Sequence, residues 1–130
     1  MSGEKDLTVL LKNIKPELQE GGYVFCTVAH LKEIDINSVI GIFKEKEGTT
    51  VVLSKANADI LSLTYSVVYA WITLTVHSSL EAIGLTAAFS TRLTKEGISC
   101  NVIAGYYHDH IFVHMKDAQR AMKALSDLTY

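Results

Sequence analysis

The chain is poor in cysteine. Only Cys26 and Cys100 occur, each at an apolar position of an expected strand. No signal-peptide core follows the charged start Met-Ser-Gly-Glu-Lys-Asp, so both read as reduced core thiols. Basic runs are missing too, and the formal net charge is −2. Proteins that grip nucleic acid cluster lysine and arginine, so no nucleic-acid partner is expected. The longest mostly apolar run, Val67 to Val76, is about half of what a bilayer span needs, so no membrane partner is expected either. Glycine-rich phosphate loops and serine-centred nucleophile turns are absent. These absences leave a cytoplasmic globular protein as the expectation. Hydrophobic residues at 48% and charged residues at 20% are enough to build a core in one compact unit or two small intertwined ones.

What is present centres on residues 98–116. Val102, Ala104 and Tyr106 alternate on one face of a strand that Cys100 extends. Ile111 and Val113 alternate on a second strand, with Phe112 on its other face. The turn between them is expected at Tyr107-His108-Asp109-His110, because aspartate bonds readily to backbone two residues on. Asn101 and Gly105 interrupt the first strand. The asparagine offers donors and acceptors, and the glycine admits another backbone or a ligand.

In chain order, Leu7, Leu10, Leu11 and Ile14 give a short helical stripe that Pro16, the only proline, stops. Tyr23 to Val28 reads as a strand. Residues 29–37 are too short and too charged for a full helix. Ser38 to Lys44 and Thr49 to Leu53 read as a hairpin around Glu45-Lys46-Glu47-Gly48, a solvated tip. Residues 55–61 read as a helix with Ser54 or Asn57 near its start. Ser66 to Val76 reads as a central strand with apolar residues on both faces. Leu85, Ala88, Phe89 and Leu93 form the buried stripe of a helix that Gly97 ends. Asp117 is expected to cap a last helix carrying Ala118, Ala121, Met122 and Leu125. The aromatic residues Tyr23, Trp71, Phe89, Tyr106 and Phe112 read as core and interface packing.

The order in the second half is strand, helix, strand, strand, helix, a ferredoxin-like βαββαβ unit short of its last strand. The first half repeats this with a short link in place of the first helix. Val39-Ile40-Gly41 matches Val102-Ile103-Ala104, and Val51-Val52-Leu53 matches Ile111-Phe112-Val113. That alignment puts three extra residues in the first hairpin. The reading is a degenerate duplication in an α+β, ferredoxin-like fold. Its parts are an N-terminal helix at 1–16, a first repeat at 17–65 and a second at 66–130. The repeats are expected to intertwine, with Tyr23–Val28 completing the second sheet.

Tandem units carrying Ser79-Leu80-Glu81-Ala82-Ile83-Gly84-Leu85-Thr86, then Gly97-Ile98-Ser99-Cys100-Asn101-Val102 and Ala104 to Val113, resemble small stand-alone proteins of tandem ACT domains. These are similar to the regulatory region of aspartate kinases detached from any enzyme. The likeness departs at His114, where family members carry proline. It implies an amino-acid-sensing module that pairs side by side, hence a homo-oligomer, a dimer. It also implies where an effector lies, at the strand-to-helix link facing a partner's strand. On this chain those residues are Ser78, Ser79, Ile83, Gly84, Leu85 and Thr86, with Asn101, Val102, Ile103 and Gly105. The physics agrees, because free amides at a helix start bind carboxylate and glycines let a ligand meet backbone.

Other readings compete. The histidines His77, His108, His110 and His114, with Asp109, suggest a metal site, although no known ligand spacing is matched. A structural role for the His108–His110 pair, across the hairpin tip or toward a partner chain, is the simpler reading. Tyr106 and Tyr107 suit contact with a partner subunit. Cys100 with His77 or His110, or Asp109 with a neighbouring histidine, is the only catalytic arrangement on offer. An inward thiol is inert, so neither catalysis nor a cofactor is expected. The resulting expectation is a regulatory module that binds a small molecule, with a docking module that binds none as its rival. A small ferredoxin-like enzyme or metal binder using His108 and His110 comes third.

Overall fold

A computed structural model describes residues 14–75 and 84–127. The expected helix over residues 6–14 lies outside them except for Ile14, which is buried. The described elements are β1 (Pro16–Leu18), β2 (Tyr23–Val28), β3 (Gly41–Lys44), β4 (Thr49–Ser54), α1 (Lys55–Ile60), β5 (Tyr69–Leu74), α2 (Leu85–Lys95), β6 (Cys100–Ala104), β7 (Asp109–His114) and α3 (Ala118–Ser126). They divide between two compact units. One is Glu20–Tyr69, and the other combines Met1–Gln19 with Ala70–Tyr130.

In the two-segment unit the sheet order is β1-β5-β7-β6. This is the ferredoxin-like order, with its last strand supplied from the N-terminal side of the chain. Pro16–Leu18 runs antiparallel to β5, in register from Pro16 opposite Leu74 to Leu18 opposite Ile72. The expectation that Tyr23–Val28 fills this place is corrected: β1 holds it, and β2 meets β5 only at Tyr23 opposite Tyr69 while pairing with β4 along its whole length. Pro16 opens a strand instead of merely stopping a helix. Proline lacks an N–H but is tolerated as the first residue of an edge strand.

Alternation sets the core. Ala70, Ile72 and Leu74 of β5 and Ile111 and Val113 of β7 face the helices, with Leu85, Phe89 and Leu93 of α2 and Ala118, Ala121, Ala124 and Leu125 of α3 against them. Helix α2 ends as its glycine predicts. Gly97, at φ 72, donates its N–H to the Thr94 carbonyl, and Ile98 N–H reaches the Leu93 carbonyl. Ile98 and Leu93 are both buried in the same cluster, the apolar contact that accompanies this ending. Asp117 stands at the start of α3 but makes no side-chain bond to the helix amides. Its carboxylate instead accepts from Arg120 at 2.9 Å, and Arg120 also donates to the Glu96 carbonyl at the end of α2 at 2.7 Å. One guanidinium thus holds the two helix ends together.

In the other unit the order is β3-β4-β2. Val24, Cys26, Val28, Val51 and Leu53 pack with Ala58 of α1 and Ile34. The link after β2 holds only two 3₁₀ turns, Leu31–Glu33 and Ile36–Ser38. The second takes up Ser38, so β3 starts at Gly41 and not at Ser38. Ser54 caps α1 as expected, its hydroxyl accepting from Asn57 N–H at 3.1 Å. Tyr69 pairs with Tyr23, and β5 begins there, three residues later than its apolar run suggests.

The hairpins correct the sequence alignment. Lys44 faces Thr49 and Ala104 faces Asp109. Both ladders close with the same bond, Glu45 N–H to the Gly48 carbonyl at 3.0 Å and Gly105 N–H to the His108 carbonyl at 2.9 Å. Each loop has two residues at its tip, and the first hairpin carries no insertion. The turn is therefore at Tyr106-Tyr107, and Asp109 opens β7. Neither tip uses a positive φ; among the described non-glycine residues only Ser62 does, at 57°. Such turns accept almost any residue, so no Asn-Gly signal marks them. Tyr106 and Tyr107 are 83% and 79% exposed, so of the core-or-interface reading Tyr106 keeps only the interface half.

Candidate functional site

Strand β6 is the outer strand of its unit's sheet, bonded on one side to β7. Asn101 stands opposite Phe112 and is exposed; Ile103 stands opposite His110 and is 40% exposed. Val102, opposite Ile111, is half-buried and packs on the helix-side core. Gly105 closes the strand at the turn. A Cβ on it would come within 2.9 Å of the His108 carbonyl oxygen and 3.1 Å of His110 Nε2, so only glycine fits without movement.

The other predicted group lies at the start of α2. Gly84 precedes the helix at φ 86 and, having no side chain, does not itself cap the first amides. Leu85 is in the core and offers only its backbone, whereas Thr86 is exposed. Ser78, Ser79 and Ile83 lie outside the described residues. Asn101 to Gly105 are contiguous on β6, with β7 standing between that strand and β5. The described sequence-predicted residues therefore lie on two elements of the unit, its outer strand and a helix start.

A third constellation was not assembled by sequence reasoning. Trp71 Nε1–H donates to His110 Nδ1 at 3.0 Å, and Thr73 Oγ1 lies 3.3 Å from the same nitrogen. Gln19 Nε2–H donates to Thr73 Oγ1 at 3.1 Å. The indole also stacks on Phe112, with ring centroids 6.1 Å apart. Thr73 and Phe112 are 5% and 2% exposed, although they lie on the sheet face opposite the helices. Burial and the neighbouring His108 push the His110 pKa below the ordinary 6.5, and Asp109 opposes them. Burial raises the Asp109 carboxyl, with His110 pulling it back. The signal available in the sequence was alternation: Trp71 and Thr73 share a face of β5, as His110 and Phe112 share one of β7.

His77, a member of the expected metal and catalytic sets, lies outside the described residues. Among the described residues no three His, Cys, Asp or Glu side chains are arranged to hold a metal. Cys100 stands opposite Val113, and the partner of His110 is Ile103. Burial raises the Cys26 thiol, which disfavours its reactive thiolate. The other unit has an open cleft of about 500 Å³ lined by Phe25, Thr27, Thr50, Thr64, Tyr65 and Ser66. None of the predicted site residues lines it. No described helix is long and apolar enough to cross a membrane.

A family model described as ACT domain matches residues 2–70, and a second model of the same description matches residues 66–127. The chain belongs to the ACT-domain family. Its two ACT matches lie in tandem. A solved structure from Vibrio cholerae, a protein of unknown function described as a possible transport protein, is 48% identical. The match covers 97% of this chain and 98% of that one, with a TM-score of 0.84. The ligand-free regulatory subunit of aspartate kinase from Thermus thermophilus is 8% identical at TM-score 0.69, covering 88% of this chain and 96% of that one. Clostridium acetobutylicum aspartate kinase is 11% identical at TM-score 0.66, over 90% of this chain and 34% of the enzyme. At such identities these two share the ACT fold alone. No curated protein matches the chain.

Proposed function

We propose that this tandem ACT protein is a cytoplasmic, non-catalytic regulatory module that binds a small effector, an amino acid. Binding is coupled to pairing with a second copy. Gly84–Thr86 and Asn101–Gly105 hold the effector. The observation that carries the reading is the exposed outer strand β6 with Asn101, in the same unit as a helix start whose N-cap residue is a glycine, Gly84. The amides of a helix start suit a carboxylate. The asparagine amide suits either end of an amino acid. The helix start of one copy faces β6 of a second copy, so each site takes residues from both. A ligand that touches both copies then stabilises the pair by its differential affinity for the paired state.

A thermal-shift screen of the twenty amino acids tests this. A ligand at about 100 times its dissociation constant adds about 2.7 kcal/mol, a shift of several degrees for a chain of this size. One amino acid should give the shift, Asn101→Ala should abolish it, and sedimentation should show a larger species with that ligand. A flat screen would favour the docking reading, for which the exposed Tyr106-Tyr107 tip is the supporting observation.

A further inference from the structure

The Trp71–His110 contact fixes a protonation state. An indole N–H only donates, so the imidazole Nδ1 it meets at 3.0 Å carries a lone pair. His110 is therefore neutral, with its proton on Nε2, the edge that lies against Gly105. Thr73 has a second role at the same nitrogen. Its oxygen already accepts from Gln19, so its own hydrogen can point at Nδ1, 3.3 Å away. That oxygen keeps a further lone pair. A hydroxyl reverses by rotation, which an indole cannot do.

We propose that His110 is a proton-driven switch: protonation at Nδ1 passes the ring's hydrogen bond from Trp71 to the Thr73 hydroxyl and loosens β7 from β5. In the neutral state Trp71 donates to the ring. In the charged state Nδ1–H donates to the Thr73 oxygen, and the Trp71 N–H faces a hydrogen. The proton comes from solvent, and no covalent bond changes.

Among the described residues the charged groups around the ring are few. His108 and Asp109 precede it on its own hairpin, and their effects oppose one another. His114 lies farther along β7. From β5 the ring meets Trp71 and Thr73, and from β6 it faces Ile103. Beyond Thr73, β1 presents Glu17, which pairs with Thr73 and is exposed. No fixed cation stands among these groups to prevent protonation, and the neutral state rests chiefly on burial and the indole donor. The sign follows. The fold favours neutral His110, so its contribution to stability is complete above about pH 6.5 and falls as the pH drops through that value.

The chain has a single tryptophan, so intrinsic fluorescence reports on Trp71. The full chain is titrated from about pH 8 to about pH 5, and imidazole nitrogens are followed by NMR. Trp71 emission should change in a one-proton step with a midpoint below 6.5, and Nδ1 of His110 should be unprotonated at neutral pH. His110→Asn should abolish the step. Thr73→Val removes the acceptor of the charged state and should move the midpoint to lower pH by about half a unit. Flat emission, a step that survives His110→Asn, an unmoved midpoint in Thr73→Val, or a proton on Nδ1 at neutral pH would each overturn the proposal. If His110→Asn fails to fold, the wild-type titration and Thr73→Val still decide.

Discussion

Gly105→Ala is the sharpest test of the packing around the β6–β7 turn. The new Cβ would sit 2.9 Å from the His108 carbonyl oxygen and 3.1 and 3.2 Å from Nε2 and Cδ2 of His110. The oxygen is the acceptor of the bond that closes the hairpin, so moving it away stretches that bond. The ring is held on its other side by Trp71. Backbone conformation adds no penalty, because φ at Gly105 is not positive. Overpacking of this kind costs about 1–3 kcal/mol, and alanine returns about 0.4–1 kcal/mol by restricting the unfolded chain. The net loss is about 1–2 kcal/mol, a fall in Tm of about 3–8 °C. Gly41→Ala is the control. Its Cβ would meet only Val52 side-chain atoms at 3.8 Å, an ordinary contact, so stability should hold or rise by about 0.5 kcal/mol. Thermal melts by circular dichroism compare the two variants, with Trp71 fluorescence as a local reading for Gly105→Ala. If Gly105→Ala melts with or above the wild type, the account of this turn is wrong.

Other outcomes follow from the helix ends and the ion pair. Ser62 ends α1 in the left-handed region, with Leu63 N–H reaching the Ala58 carbonyl, as Gly97 ends α2. Ser62→Gly should therefore stabilise the chain by about 0.5–1 kcal/mol, and Gly97→Ala should cost about 1–2 kcal/mol, both read by urea denaturation. The hydrogen bond from Arg120 holds the Asp117 carboxyl below its ordinary 3.8. This contribution is complete above pH 3.8 and is lost as pH falls through the lower folded value. The Tm gap between wild type and Arg120→Gln should accordingly shrink in that acidic window. A gap that stays constant with pH would place the effect of Arg120 in packing or in its bond to Glu96 instead.

The sequence by itself determined what is local and periodic. Alternation located β2, β4 and β7, the Leu85–Phe89–Leu93 spacing located α2, and Gly97 and Ser54 marked helix ends. The run from Gly97 to Val113 was the most specific part of the likeness to ACT domains. Tertiary structure decided what depends on distant partners. Apolar triplets such as Val39-Ile40-Gly41 match one another in several registers, and only the ladders, Lys44 on Thr49 and Ala104 on Asp109, select one. A three-residue strand such as Pro16–Leu18 has too few residues to show a period, and its partner β5 is more than fifty positions away. The Gln19–Thr73–His110–Trp71 set likewise joins two strands and the residue that follows β1 through side chains with no shared motif. Its chemistry exists only because the sheet order brings β1 and β7 to opposite sides of β5.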